Sequence, residues 1–188
     1  VGSEMFIRDR FYGATSATVV TMSCDGGAIS SGTLFVSNII TKIPSGAFQN
    51  CNALTSLNIE SDSHLESIES NSFENSGLTA VSIPSSVISI GARAFYQASS
   101  LTSVTFESNS SVTVIGDNAF RSATSLTALT IPASITRLGS YAFSYCSSLS
   151  SVVFESDSSL TLIDGYAFYY ATSLTALTIP ASITRLGS

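Results

Sequence analysis

The chain has 188 residues, which is long enough for one domain with a sizeable hydrophobic core. Apolar residues make up 44% and charged residues 11%, which excludes intrinsic disorder, because disorder requires low hydrophobicity and high charge. The formal charge of −6 and the lack of any run of Lys or Arg argue against a nucleic-acid partner, and no apolar stretch is long enough to span a membrane.

Residues 1–10 (VGSEMFIRDR) share no pattern with the rest of the chain. They resemble the translated read of a transposon-type sequencing-library adapter, with Phe6 where the adapter would give Cys. A non-native leader is left out of fold reasoning. Its removal does not change the net charge, because it contains two acidic and two basic residues. A genuine native leader is the alternative interpretation.

Residues 11–33 match the pattern of the following chain poorly. Terminal units of a repeat array are usually atypical, because they must cover the open end of the core. We therefore predict that residues 11–33 form an N-terminal cap or a degenerate repeat.

From residue 34 onwards one pattern recurs every 22 to 25 residues. A Phe that follows a small residue is preceded by aliphatic residues eight and five positions earlier, and it is followed by the motif L-x-x-(L/V)-x-(I/F). The six copies are centred on Phe48, Phe73, Phe95, Phe120, Phe143 and Phe168. One such unit cannot bury its own apolar side, whereas stacked units create a continuous core.

The spacing within each unit predicts its local structure. The last two apolar residues of the motif are two positions apart, as a strand with one buried face requires, and parallel strands of successive coils should stack at about 4.8 Å. The segment around Ile40–Ile43 and its equivalents predict a second short strand or extended stretch. Segments such as GARAF, which lead to each Phe, predict short turns or helical pieces on the opposite side, with the phenylalanines as an internal spine.

The units resemble the BspA-type leucine-rich repeats, whose consensus has the form LTSVTIPxSVTSIGxxAFxxCxx. Good matches are LTALTIPASITRLGSYAFSYCSS and LTSLNIESDSHLESIESNSFENSG. The resemblance covers about residues 34–188 and implies a leucine-rich-repeat solenoid, α/β or mainly β, with a parallel strand ladder on one side. It also implies a bacterial or protist surface protein of the kind often implicated in adhesion, with no catalytic residues to carry over.

Neighbouring units alternate between two types, one ending in a Glu-Ser loop and the other in IPSS or IPAS. Residues 123–140 and 171–188 are identical, which indicates a recent tandem duplication or an assembly error. The chain stops at Ser188 in the middle of a unit, so we expect the native array to continue beyond it.

The outward residues of the predicted strands form the first candidate binding surface, because solenoids usually bind through such a face. This strand face is lined by hydroxyl groups with acidic spots; the alternative is an ordinary soluble face. Its candidate residues are Asn58, Glu60, Ser82, Thr105, Glu107, Thr130, Val153, Glu155 and Thr178.

Tyrosines concentrate in the last units and form the second candidate surface. They recur two positions before and two positions after the Phe, and aromatic rings with polar tips are typical anchors of interfaces. The alternative is that they only pack neighbouring coils together. The candidates are Tyr141, Tyr145, Tyr166, Tyr169 and Tyr170.

The remaining reactive residues predict neither catalysis nor a metal or cofactor site. Three cysteines are too few for a disulfide framework, and Cys51 and Cys146 fall in a column of small residues, which predicts buried thiols. The single histidine, His64, has no catalytic partner in the repeat pattern. The acidic loops offer only two strong candidate ligands each, which is few for calcium.

We therefore expect a non-catalytic module that binds a protein or glycan ligand, or mediates adhesion, in a cell-surface or secreted protein. An intracellular scaffold protein is the main alternative. An appendage of an enzyme outside this chain and an ice-binding protein are less favoured.

Overall fold

The computed structural model describes Cys24, residues 29–30 and residues 32–187. The predicted leader at residues 1–10, and most of the predicted cap at residues 11–33, lie outside this part of the chain. The described residues wind into a solenoid of about seven turns, built from strands and turns with no helix. We number its coils 1 to 6 by their phenylalanine, from Phe48 in coil 1 to Phe168 in coil 6.

Six four-residue strands lie on one side of the solenoid. They are β2 (Thr33–Val36), β4 (Ser56–Ile59), β6 (Ala80–Ile83), β8 (Ser103–Phe106), β10 (Ala128–Ile131) and β12 (Ser151–Phe154). The last five of them lie at the first five copies of the L-x-x-(L/V)-x-(I/F) motif, whereas β2 precedes the first copy and the sixth copy, residues 174–179, forms no strand. β2 pairs with β4, and β6, β8, β10 and β12 form one parallel sheet in that order. The register aligns equivalent residues of successive coils, for example Ser82 with Thr105.

Seven two-residue strands form a second, uninterrupted parallel sheet. They are β3 (Lys42–Ile43), β5 (Ser67–Ile68), β7 (Ser89–Ile90), β9 (Val114–Ile115), β11 (Arg137–Leu138), β13 (Leu162–Ile163) and β14 (Arg185–Leu186). Its strands are the second short strand that the sequence predicts for each unit. One further strand, β1 (Ile29–Ser30), pairs antiparallel with β2 and so departs from the parallel repeat.

The phenylalanines form the internal spine that the repeat predicts. Consecutive rings stack nearly parallel from Phe48 to Phe168, with centroids 5.0 to 5.5 Å apart. The first five rings are fully buried. Because each ring contacts only the rings of neighbouring coils, the core is continuous along the axis and local in sequence.

The third side of each coil is a turn, which extends from two residues before the Phe to two residues after it. We call the row of these turns along the solenoid the turn ridge. Both end positions have positive φ in every coil, for example Asn118 (φ 57°) and Ser122 (φ 62°) around Phe120. Backbone N–H groups alternate in direction. The N–H of Phe95 donates to Ala119 of the next coil (2.7 Å), whereas the N–H of Tyr96 donates to Arg93 in its own coil (3.1 Å).

Serine and threonine hydroxyls also join the coils. Thr136 Oγ1 donates to the carbonyl of Thr113 in the preceding coil (3.1 Å), and Thr161 Oγ1 donates to the carbonyl of Thr136 (3.2 Å). Thr79 and Thr102 form a similar series before the four-residue strands. The hydroxyl-rich composition therefore satisfies backbone carbonyls at exposed coil edges, where water would otherwise be the partner.

The cysteines correct one prediction. Cys24 and Cys51 form a disulfide, with Cα atoms 5.7 Å apart, so the prediction of a free buried thiol is wrong for Cys51. Cys24 lies outside the repeat pattern, so no aligned column predicted its position. Cys146 is a free buried thiol, as predicted. Burial raises the pKa of the Cys146 thiol from 9.0 to about 12, despite a backbone hydrogen bond at Ala123 that lowers it.

Candidate functional site

The structure places the middle column of the strand face on the outside of the solenoid, in strands for the first five members and in a segment without a strand for Thr178. The side chains of all six candidates in this column are exposed: Asn58, Ser82, Thr105, Thr130, Val153 and Thr178. Val153, with 53% of its surface exposed, interrupts the polar row. Two shallow cavities of about 430 and 510 Å³ lie on this face, the first between β8 and β10 and the second beside β12. A binding role for these residues stays a prediction.

The three glutamates of the strand face have structural contacts with the preceding coil. A carboxylate oxygen of Glu107 accepts the backbone N–H of Ser85 at 3.0 Å, and Glu155 accepts that of Ala133 at 2.9 Å. Glu60 accepts the N–H of Asn38 in the same way (3.1 Å). Each glutamate thus accepts a loop N–H of the preceding coil. Ser85 and Ala133, which donate two of these hydrogen bonds, each directly follow a proline, so a Glu-Ser unit contacts the IPSS or IPAS loop of the unit before it.

The five candidate tyrosines meet in one cluster on the turn ridge of coils 5 and 6. Tyr141 stacks on Tyr166 (centroids 4.9 Å apart, planes at 13°), and Tyr145 stacks on Tyr170 (5.2 Å, 14°). Tyr169 lies between the two stacks and makes edge contacts with Tyr145, Tyr166 and Tyr170 at 4.6 to 5.7 Å. We call these five residues the tyrosine cluster. Four of them expose 38 to 56% of their surface.

Four members of the tyrosine cluster have a left-handed backbone. The φ angles of Tyr141, Tyr145, Tyr166 and Tyr170 lie between 57° and 60°. This region is unfavourable for bulky side chains, and it costs roughly 1–2 kcal/mol per residue for any residue with a Cβ other than Asn or Asp. Coils 1, 2 and 4 have Gly, Asn or Ser at the same positions. Tyrosine is therefore conformationally unfavourable at these turn positions.

The pKa of Tyr169 is raised above its ordinary value of 10.0. The first cause is partial desolvation among the other rings, followed by the neighbouring phenols of Tyr170 and Tyr145. The Tyr169 hydroxyl therefore stays protonated, and able to donate a hydrogen bond, at any physiological pH.

A cation extends the tyrosine cluster towards coil 3. The guanidinium of Arg121 in coil 4 lies 5.4 Å from the ring centroids of both Tyr141 and Tyr145, and 5.9 Å from that of Tyr96. The guanidinium of Arg93 also lies over the Tyr96 ring, 4.4 Å from its centroid. Sequence reasoning missed Arg121 and Tyr96; their shared position one residue after the Phe, which Tyr169 also occupies, is the signal that could have found them.

Most other basic residues of the described chain are paired with acids. Arg93 contacts Glu74 at 2.7 Å, and Lys42 contacts Glu69 at 3.4 Å. Arg137 donates to Asp164 at 2.7 Å and also contacts Asp117, which joins three coils. Within residues 24, 29–30 and 32–187 that the structure describes, Arg121 and the exposed Arg185 have no carboxylate within 4 Å.

The described residues contain no group of three or more His, Cys, Asp or Glu side chains with the geometry of a metal site. His64 is exposed, and its Nδ1 lies 3.1 Å from the carbonyl oxygen of Asn38. The same part of the chain contains no helix with the length and hydrophobicity needed to cross a lipid bilayer.

Comparison with solved structures shows relatives of this fold. A leucine-rich repeat protein from Eubacterium ventriosum is 22% identical with a TM-score of 0.72, and the match covers 86% of this chain and 42% of that one. The pneumococcal vaccine antigen PcpA is 23% identical with a TM-score of 0.66, and the match covers 81% of this chain and 51% of that one. The matched part is therefore about half of each relative's length.

No curated protein matches the sequence. The sequence model of the BspA-type leucine-rich repeat region, however, matches residues 28–110 and 66–188 with six copies of the repeat, in agreement with the coils described above. The chain belongs to the BspA-type leucine-rich repeat family.

Proposed function

We propose that this chain is a non-catalytic binding or adhesion module of a cell-surface or secreted protein, and that it attaches to a macromolecular partner through the tyrosine cluster. The division of the chain into a leader (1–10), a cap (11–33) and repeats (34–188) is part of the proposal. The observation that carries it is the left-handed backbone of four clustered tyrosines, three of which, Tyr145, Tyr166 and Tyr170, are exposed to solvent.

The left-handed backbone of these four tyrosines has a cost in conformational free energy. Gly or Asn would fold these turns with less strain, and they occupy both positions in coils 1 and 2, whereas coil 3 has Arg93 and Gln97 with the same left-handed backbone. Residues kept in unfavourable conformations cluster at functional sites, where the surrounding structure holds them in place. Tyrosine is also enriched among the residues that dominate binding energy at protein interfaces.

Two further observations support an extracellular, non-catalytic role. The Cys24–Cys51 disulfide favours an oxidising compartment, because cytosolic proteins are generally kept reduced. The single histidine also has its Nδ1 atom 3.1 Å from the carbonyl oxygen of Asn38, a group that is not a nucleophile for covalent catalysis. A surface location agrees with the description of one fold relative as a vaccine antigen.

A screen with a matched variant tests the proposal. The purified chain is screened against a displayed library of random 12-residue peptides and against a glycan array. The comparison variant carries Tyr141→Asn, Tyr145→Asn, Tyr166→Asn and Tyr170→Asn, which places in coils 5 and 6 the residue that coil 2 has at both positions. We expect ligands that bind the native chain and are lost in this variant.

A second variant, Thr105→Ala with Thr130→Ala, changes the strand face and serves as the control. If the selected ligands are lost in this control and retained by the four-fold tyrosine variant, the strand face is the binding surface and the proposal for the tyrosine cluster is wrong. If no peptide or glycan binds the native chain, the binding function itself is contradicted.

A further inference from the structure

We infer that the tyrosine cluster binds an acidic segment of a protein partner, and that Arg121 receives a carboxylate of that segment. This inference rests on the proposed function and adds the chemistry of the partner. It begins with the charge of Arg121, which is half-buried beside the cluster and has no carboxylate partner within the residues that the structure describes.

Arg121 has unused capacity for hydrogen bonds. A guanidinium has five N–H donors. One contact to a side-chain acceptor is present, from an Arg121 terminal nitrogen to Asn118 Oδ1 at 3.2 Å, and the Nε atom is buried without an acceptor. The neighbouring tyrosine rings attract the cation but do not neutralise it. A carboxylate that approaches the terminal nitrogens would supply both the missing charge and paired acceptors, although the buried Nε is out of its reach.

The contrast with neighbouring coils shows that this is not a general feature of the turn ridge. Arg93, one coil earlier, also lies against Tyr96, yet it has Glu74 as a partner at 2.7 Å. At the position of Arg121 itself, other coils have Gln49, Glu74 and Ser144. Among the described residues one position after each phenylalanine, Arg121 is therefore the one arginine, and it has no carboxylate partner.

The ring geometry favours a protein over a glycan. Sugars stack on the faces of aromatic rings, but between coils 5 and 6 the ring faces cover each other, in pairs 4.9 and 5.2 Å apart. The facing sides of each pair are therefore closed to a sugar, and the pairs present ring edges and hydroxyl groups along the ridge. Edges that contact apolar side chains, and hydroxyls that donate hydrogen bonds, are how tyrosine acts at protein interfaces.

The size of the surface favours a short segment. With about 200 Å² per ring, the 38 to 56% exposure of four tyrosines gives at most roughly 400 Å². A stable interface between two folded proteins needs about 800 Å² on each side. A peptide-sized partner fits the available area better.

Two pools of synthetic 12-residue peptides test the inference. Both pools lack Tyr and Trp and share Leu, Ile, Val and Pro at fixed positions; one pool has Asp or Glu at the remaining positions, and the other has Asn or Gln. Immobilised peptides report the affinity of the whole chain. The protein has no Trp and seven Tyr, so its tyrosine fluorescence reports independently on the ridge. We expect the acidic pool to bind about ten to a hundredfold more tightly.

Three variants assign the effect. Arg121→Gln places at this position the residue that coil 1 has there, Gln49, and should abolish the preference for the acidic pool. Arg121→Lys keeps the charge and should retain most of the preference. Arg185→Gln removes the other unpaired arginine, which lies in β14 and not on the turn ridge, and should leave the preference unchanged. Thermal unfolding confirms that each variant is folded.

Each other outcome overturns the inference. Equal binding of both pools, no binding of either, or an acidic preference that persists in Arg121→Gln would each contradict the role of Arg121. Binding of sialylated glycans that requires Arg121, without peptide binding, would show that the partner is not a protein. The proposed function fails separately, if peptides still bind the four-fold tyrosine variant with native affinity.

Discussion

Tyr141 has two possible roles that a single substitution can separate. It stacks on Tyr166, which is worth about 0.5–1.5 kcal/mol, but its left-handed backbone costs roughly 1–2 kcal/mol. Asn tolerates this conformation, as Asn118 shows one coil earlier. Because gain and loss nearly cancel, we expect Tyr141→Asn to change the free energy of unfolding by less than about 1 kcal/mol, measured by urea unfolding.

The comparison for this prediction is Phe143→Ala, which removes a buried ring from the same coil and should be strongly destabilising. A loss well above 2 kcal/mol for Tyr141→Asn would mean that this tyrosine mainly holds neighbouring coils together, which is the alternative that the sequence left open.

The buried Cys146 thiol makes stability depend on alkaline pH. Its pKa is raised from 9.0 to about 12 in the folded chain, so the folded state holds this proton more tightly than the unfolded state. The stability it contributes is complete below pH 9 and is lost as the pH rises towards 12. By linkage, the loss at pH 10 is about 1.4 kcal/mol.

The matched variant is Cys146→Ala, because Ala98, Ala123 and Ala171 occupy the same column. Urea unfolding at pH 8 and pH 10 should show a drop that is about 1.4 kcal/mol larger for the native chain than for the variant. Tyr169, whose pKa is also raised, is present in both proteins and cancels in this difference. Equal decreases in the free energy of unfolding for the two proteins would contradict a raised pKa of the Cys146 thiol in the folded state.

At the scale of the element, the glutamate loops connect one coil to the next. Glu107 accepts the N–H of Ser85 from the preceding coil. Glu107→Ala removes this hydrogen bond and should reduce the free energy of unfolding by about 1 kcal/mol, whereas Glu107→Gln keeps an acceptor and should cost less than half as much. Glu66→Ala is the control, because no hydrogen bond or ion pair of the Glu66 side chain is present in the described structure. An equal effect of all three substitutions would contradict the role of Glu107.

The strands were predictable from the sequence because their signal is local. Two apolar residues at a spacing of two mark each strand, and five of the six motif copies form one, so β6 and β8 lie where the motif places them. The turns were less predictable, since a segment such as GARAF fits either a helical piece or a turn. The left-handed angles of Arg93 and Gln97 decide for the turn, and neither residue type indicates such angles.

The candidate site was only partly predictable, for a related reason. The shared column positions of Tyr141 and Tyr166 placed them together. The Arg121 contacts, in contrast, join coils 3, 4 and 5, and the Glu107 contact lies 22 residues away, so neither follows from the pattern of a single unit. The Cys24–Cys51 disulfide was missed because one partner lies outside the repeat.

For the whole molecule, the phenylalanine spine makes stability a sum over neighbouring coils. Phe120 is fully buried between Phe95 and Phe143, so Phe120→Ala removes two ring contacts and should cost about 3–5 kcal/mol. Phe168 is half-buried and has a ring neighbour on one side, so Phe168→Ala should cost clearly less. Chemical unfolding of both variants measures the two losses of unfolding free energy. Equal losses would contradict the view that stability is a sum of contacts between neighbouring coils.

The alternating hydrogen bonds of the turn ridge have an electrical consequence. In coils 1 to 5, the N–H of each spine phenylalanine, and those of the residues two positions to either side, all donate towards the following coil. Their peptide dipoles therefore point the same way and add along the axis, as they do in an α-helix. The ridge acquires a positive pole towards the tyrosines and a negative pole towards the first coil. Every coil gained by duplication lengthens this row of aligned dipoles on the ridge. On the strand sides the N–H groups donate towards the preceding coil, for example Thr113 to Ile88 and Gly116 to Ile90, so the dipoles of the two regions oppose each other.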